Sequence, residues 1–198
     1  MAKKLVVLAS KSPRRQDILK GIGVPFGVIP SHAEETHHEH KTPEQIVIDN
    51  AKTKAMEVAA KCKASLVLGA DTIVYFDNKI LTKPKDITEA RKHLNMLSGN
   101  THYVYTGCAL IDTSSSVIEI GCAVTKVRFC KLTDKQIDGY INKVNPYDKA
   151  GGYAIQGFGA LIVDGIDGCF FNVMGLPVRL VDELFCRFGS SLFDYCED

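Results

Sequence analysis

Apolar residues along this chain take two patterns in turn: short unbroken runs, and stripes at helical spacing. Leu5-Val6-Val7-Leu8-Ala9 is unbroken, the pattern of a strand buried on both faces. Ser10-Lys11-Ser12-Pro13 ends it. Ser12 fits an N-cap and Pro13 the first position of a helix, with Ile18 and Leu19 inward and Gly21 or Gly23 as its stop. Residues 26–29 predict a second strand, and 31–41, polar and rich in His and Glu, a loop. Thr42-Pro43-Glu44-Gln45 joins a cap, a first-turn proline and a capping-box Gln. The helix it opens should run to about Lys61 with Val47, Ala51, Lys54 or Ala55, and Val58 inward. Lys54 therefore falls on or beside an apolar face.

Residues 66–70 form another buried-type run, with Asp71 at its C-terminal end. Residues 73–76 and 80–81 flank Asp77-Asn78, a hairpin turn. Asp86-Ile87-Thr88-Glu89 opens a helix to about Leu97, stopped by Gly99. Residues 103–111 and 117–129 read as an antiparallel hairpin around 113–116, and Thr133-Asp134-Lys135-Gln136 opens a helix to Lys143. The stretch 148–159 carries glycines 151, 152, 157 and 159 and reads as a loop closely approached by ligand or backbone. A strand at 161–163 and an amphipathic helix at 177–188, with Val178, Val181, Leu184 and Phe185 inward, complete the chain. There is no internal repeat, low-complexity tract or linker. The reading is a single domain, 1–198, of the α/β class with a mixed sheet, built as two lobes sharing one cleft.

Composition narrows the partners. A hydrophobic content of 45% supports a sizeable core. Basic and acidic residues, 24 against 23, leave +1 with no basic stripe. Nucleic acid is therefore not an expected partner, and any anionic ligand should be small and locally gripped. No apolar run approaches the ~20 residues needed to cross a bilayer. Lys3 and Lys4 precede an apolar run too short for a signal peptide, and Lys11, Arg14 and Arg15 follow at once. The seven cysteines form no C-x-x-C pair and sit within apolar patterns. They read as core residues of a protein of the reducing cytoplasm rather than as a zinc site.

Several polar positions suggest chemistry. Ser10, Ser12, Arg14 and Arg15 lie where a strand gives way to a helix. Free amides and the positive end of a helix dipole favour phosphate there, and hydroxyls and guanidinium forks add donors. The Walker spacing is absent; the same residues also read as a capped helix with two solvated arginines. Asp71, followed by Thr72, stands at a strand mouth, where α/β sheets collect ligands, or forms a turn. Glu34-Glu35 suits Mg²⁺, a hard cation that bridges to phosphates, or is simply solvated. Lys54, and Lys83 before Pro84, are candidate phosphate ligands, against the ordinary alternative of snorkelling to water. Lys149 and Gln156 lie in the glycine-rich loop. His32, His37, His38 and His40 crowd one loop with Glu34, Glu35 and Glu39, a composition open to a transition metal but more often solvated.

Taken together, the segments resemble the Maf family of nucleoside triphosphate pyrophosphatases from Leu5 to about Phe188. The likeness rests on Leu8-Ala9-Ser10-Lys11-Ser12-Pro13-Arg14-Arg15, Gly69-Ala70-Asp71-Thr72-Ile73-Val74 and Lys83-Pro84. It continues in Leu97-Ser98-Gly99, Asp148-Lys149-Ala150-Gly151-Gly152-Tyr153-Ala154-Ile155-Gln156-Gly157 and Asn172-Val173-Met174-Gly175-Leu176-Pro177. The resemblance implies a two-lobed, mixed twisted sheet flanked by helices, with a central cleft, related in shape to the inosine triphosphatases. It implies Asp71 as general base, Glu35 and Asp71 as carboxylates for Mg²⁺ or Mn²⁺, and Ser10, Arg15, Lys54 and Lys83 along the triphosphate. Arg14, Thr72 and Gln156 match specificity positions of the branch acting on dTTP and UTP, and the Gln156 amide both donates and accepts, as a uracil or thymine edge requires. Lys149 is placed with the substrate, and homodimerisation follows from the resemblance alone. Rival readings are a 7-methyl-GTP or damaged-purine pyrophosphatase and a non-catalytic nucleotide-binding regulator of cell division. The His-rich stretch 36–40 is unusual for the resemblance and bears on Glu35.

Overall fold

The computed structural model describes residues 3–36 and 40–196. The chain forms a mixed seven-stranded sheet ordered β2-β1-β3-β5-β6-β7, with β4 paired to β3 off that path. The strands are β1 Leu5–Leu8, β2 Phe26–Val28, β3 Ser65–Phe76, β4 Lys79–Leu81, β5 Thr101–Asp112, β6 Val117–Phe129 and β7 Val163–Asp167. The helices are α1 Pro13–Gly21, α2 Pro43–Ala59, α3 Ile87–Leu97, α4 Asp134–Lys143, α5 Phe170–Met174 and α6 Val178–Arg187. Two compact units emerge, one of Met1–Asp71, Thr106–Ala123 and Gly175–Asp198, the other of Thr72–Tyr105 and Val124–Met174. Strands β3, β5 and β6 each continue from one into the other. Among the described residues no helix is long and apolar enough to cross a membrane.

In the first unit β1 lies parallel to both neighbours, Val6 standing opposite Phe26 on β2 and Leu66 on β3. The expected cap of α2 is present in full: Thr42 Oγ1 accepts from Gln45 N at 3.2 Å, and Gln45 Oε1 accepts from Thr42 N at 3.0 Å. Helix α1 differs. Ser12 makes no side-chain cap; its amide instead donates to Ser10 Oγ at 3.2 Å. The apolar stripe of α2 packs Ala51, Ala55 and Val58 with Val7, Ala9, Val67, Ala109 and Ile111. Two glycines set how close that helix comes. A Cβ at Gly69 on β3 would lie 2.3 Å from Ala51 O, and one at Gly107 on β5 2.3 Å from Val47 O.

The second unit buries Val74, Leu81, Leu94, Val104, Phe129, Ile137 and Tyr153 in one core. The β3–β4 hairpin turns at Asp77 and Asn78, whose φ of 49° and 58° are left-handed as its two-residue loop demands. Arg91 of α3 pairs with Asp138 of α4. The glycine-rich stretch is an ordered loop with short 3₁₀ turns at Ala150–Gly152 and Gly157–Leu161. Gly151 N donates to Thr82 O at 3.1 Å, and Gly151 lies against Val74 with φ 69°. His102 Nε2 and Tyr153 Oη are 2.6 Å apart, and both rings meet Phe129 edge-on.

Two expected boundaries move, and one helix was not expected. The runs 66–70 and 73–76 are one twelve-residue strand, so Asp71 lies inside β3 rather than at its end. The last strand is Val163–Asp167, not 161–163: Leu161 closes a 3₁₀ turn and is 69% exposed, while Val163 pairs with Phe129. Helix α5 was not legible, because five residues carry no periodicity to read.

Two stability measurements test this packing. Burial lowers the His102 imidazole from 6.5 to about 4. Above pH 6.5 it is neutral folded or unfolded; below that the unfolded chain takes up the proton first, so stability falls until about pH 4. Urea midpoints should show about 3 kcal/mol lost over that window, a loss absent from His102→Gln. Gly69→Ala should cost about 2–3 kcal/mol at neutral pH, since backbone opposes the new methyl.

Candidate active site

The first unit brings three of the expected site residues together around Lys54. Its place at the inward edge of the α2 stripe, beside Ala51 and Ala55, carries the side chain along apolar surface toward β3. There Nζ donates to Asp71 Oδ1 at 2.7 Å and to Glu35 Oε1 at 2.7 Å. The three are unequally buried: the side chain of Asp71 is 4% exposed, that of Lys54 11% and that of Glu35 37%. The centre is thus closed at Asp71 and open at Glu35.

Asn50, one turn before Lys54, completes the surroundings. Its Nδ2 donates to Asp71 Oδ2 at 2.9 Å and to Thr36 O at 3.2 Å, and its Oδ1 accepts from Thr36 N at 2.9 Å. Both oxygens of Asp71 are therefore satisfied. This explains how a carboxylate sits inside a buried strand: it is paired and hydrogen-bonded rather than turned out at a strand mouth. Burial pushes its pKa up, but the Lys54 charge and hydrogen bond, the Asn50 amide and the more distant Arg15 outweigh it. The carboxyl is held below its ordinary value.

Arg15 is buried as well. Its Nε donates to Gly175 O at 2.7 Å and its Nη1 to Ser10 Oγ at 3.1 Å. This arginine is fixed inside the unit rather than solvated, whereas Arg14 is half-buried. Desolvation lowers the Arg15 pKa against the attraction of Asp71, yet a guanidinium stays protonated in proteins. Beside it, burial drives the Cys108 thiol up to about 12, so that cysteine is an inert core residue.

The second unit holds the other candidates. Thr72 follows Asp71 on β3, and strand alternation turns the two side chains to opposite faces. Lys83 and Gln156 are exposed. Lys149 Nζ donates to Asn145 O at 2.6 Å and to Asp148 Oδ1 at 2.5 Å. The bond from Gly151 to Thr82 ties the Lys149 loop to the residue before Lys83. Two expectations on metals also meet the structure. His37, His38 and Glu39 lie outside the described residues. Among the described residues no three or more His, Cys, Asp or Glu side chains group as a metal site, and the cysteines are free.

The two carboxylates still suit a hard divalent cation, which needs only one or two protein carboxylates when phosphates supply further oxygens. Glu35 keeps Oε2 outside the Lys54 contact and is partly open to solvent. Asn50 and Glu57, the latter holding the loop before Glu35, were not found by sequence reasoning. The available signal was their spacing from Lys54, at i−4 and i+3 on one face of α2.

Fold and site together define an α/β protein with a lysine bridging a buried and an exposed carboxylate. A family model described as Maf-like protein matches residues 5–188, and the chain belongs to the Maf family. Its relatives include a dTTP/UTP pyrophosphatase of Bacillus cytotoxicus, 48% identical over 91% of this chain and 94% of that one. One of Clostridium perfringens is 47% identical over 88% and 92%, and one of Moorella thermoacetica 45% over 95% and 97%. A solved nucleoside-triphosphatase, dITP/XTP pyrophosphatase of Mycobacterium abscessus, aligns with a TM-score of 0.40 at 17% identity over 64% of this chain and 73% of that one, a likeness too slight to decide anything.

Replacing Lys54 with Met should destabilise the protein by about 3–5 kcal/mol at pH 7, because Asp71 loses the cation that compensates its buried charge. The loss should shrink as the pH falls and Asp71 protonates. Urea unfolding at pH 7 and pH 5 measures both.

Proposed function

We propose that this chain hydrolyses dTTP and UTP to the monophosphate and pyrophosphate. The observation that carries the chemistry is Lys54 Nζ at 2.7 Å from both Asp71 and Glu35. The substrate follows from the family: the relatives named dTTP/UTP pyrophosphatase align over nine-tenths of both chains.

Asp71 is ionised at neutral pH and therefore in the form that accepts a proton. While Lys54 points at it, the carboxylate is a weak base. A phosphate oxygen that draws the ammonium away removes the largest charge favouring the ionised form, and burial then raises the proton affinity. Substrate thus raises the proton affinity of Asp71, a rise that a divalent cation on the same carboxylate would oppose. Asp71 takes a proton from water, the water oxygen bonds to the α-phosphorus, and the α–β bridging bond breaks to release pyrophosphate. Lys54 balances charge that spreads over the phosphate oxygens. Glu35 and Asp71 would hold Mg²⁺ or Mn²⁺, which supplies Lewis-acid neutralisation of phosphate charge. Ser10, Arg14, Arg15, Lys83, Lys149, Thr72 and Gln156 are assigned to substrate on the family resemblance. The same resemblance favours a homodimer, and the free thiols favour the cytoplasm.

A panel of nucleoside triphosphates with Mg²⁺ or Mn²⁺, read for monophosphate and pyrophosphate, tests the assignment. dTTP and UTP should exceed 7-methyl-GTP and purine triphosphates by at least about tenfold in kcat/KM; preference for a purine overturns it. Asp71→Asn should lower kcat by about 10²–10⁴. A folded variant turning over at the native rate removes Asp71 as base.

A further inference from the structure

One face of α2 does more than carry Lys54. Asn50, Lys54 and Glu57 follow at i, i+4 and i+7, so they line a single stripe, and Lys61 follows just beyond the helix end. The segment 31–36 opposite them has neither helix nor strand, and the His32, Ala33 and Thr36 amides donate to Glu57 or Asn50, that of Ala33 also to Ser31 Oγ at 3.1 Å. Glu57 Oε2 accepts from Ser31 Oγ at 2.6 Å, His32 N at 2.8 Å and Ala33 N at 3.0 Å. Glu57 Oε1 accepts from Lys61 Nζ at 2.8 Å. At the other end Asn50 exchanges two bonds with the Thr36 backbone. Only Glu34 and Glu35 lie between these anchored points, a span with little slack at ~3.8 Å per residue.

We propose that Glu57 is a positioning residue for Glu35: it fixes 31–33 on α2 so that Glu35 arrives at Lys54, and with Asn50 it presets the open carboxylate of the centre. This rests on the functional reading above only for what Glu35 then does. The clamp suits the task. One carboxylate oxygen gathers three donors, as a charged acceptor can and a neutral one does less strongly. Lys61, then Ser31 and the His32 amide, hold the Glu57 carboxyl down at about 2, so it stays an acceptor at any working pH. A surface ion pair with Lys61 alone would explain none of the three bonds to the loop.

The clamp separates from the ion pair by mutation. Glu57→Ala removes the acceptor; Glu57→Gln keeps an oxygen for the same three donors; Lys61→Met removes only the ion pair. Backbone hydrogen exchange of the nucleotide-free protein should show the His32, Ala33 and Thr36 amides exchanging at least about tenfold faster in Glu57→Ala, and near the native rate in Glu57→Gln and Lys61→Met. Thr36 is the decisive amide, because Glu57 does not touch it and Glu35 lies between. With dTTP and Mg²⁺, kcat should fall about 10- to 100-fold in Glu57→Ala, with KM within about twofold and rescue by Glu57→Gln. Unchanged Thr36 exchange, or native kcat in Glu57→Ala, overturns the proposal. Should the native protein not hydrolyse dTTP at all, the exchange result decides alone, and only the functional reading falls.

Discussion

A protonated amine held away from water between two carboxylates is the interaction on which the rest of this structure depends. Lys54 cannot sit beside a buried Asp71 unless α2 lies almost against β3, and the packing is built for that. Gly69 has no side chain where Ala51 O passes, and Gly107 none where Val47 O passes. Ala51 and Ala55 are the small residues facing Gly69. A larger residue at any of these positions would lift the helix and leave a lysine and an aspartate desolvated without each other, which is the costly arrangement. Packing and charge here are one constraint.

The same constraint shapes the chemistry. Asp71 is kept ionised against its own burial by groups that a polyanionic ligand would attract. Its proton affinity therefore depends on what else the lysine can reach. Arg15 is also buried, but it is pinned to Gly175 O and Ser10, so it contributes a fixed positive charge, whereas Lys54, on its flexible stem, can move. Glu35 differs again, standing on an irregular loop whose position is set from outside by Glu57 and Asn50. A buried carboxylate, a lysine on a long stem and an open carboxylate need different supports, and one helix face supplies most of them.

Much of this is legible in the amino-acid sequence. The capping boxes at Thr42 and Thr133 mark two helix starts to the residue, because those side chains bond within four residues. Lys54 stands out as a charge on an apolar stripe. What resists reading is whatever depends on distant partners. Asp71 looks like a strand terminus because a buried carboxylate in mid-strand is costly until its lysine and asparagine are known. Glu57 looks like a solvated helix residue, since its partners are loop amides about 25 residues earlier in the chain. Ser12 looks like a cap, but Ser10 takes its amide instead. Leu161 looks like strand by composition, yet the pairing of β7 begins at Val163.

Lys54 is the largest influence holding the proton affinity of Asp71 down against burial. A ¹³C titration of the Asp71 side-chain carboxyl in the native protein and in Lys54→Met addresses it most directly. The carboxyl should titrate below the ordinary aspartate range in the native protein and above it in the variant, where only Asn50 and the more distant Arg15 still oppose burial. An Asp71 that titrates alike in both proteins would contradict it.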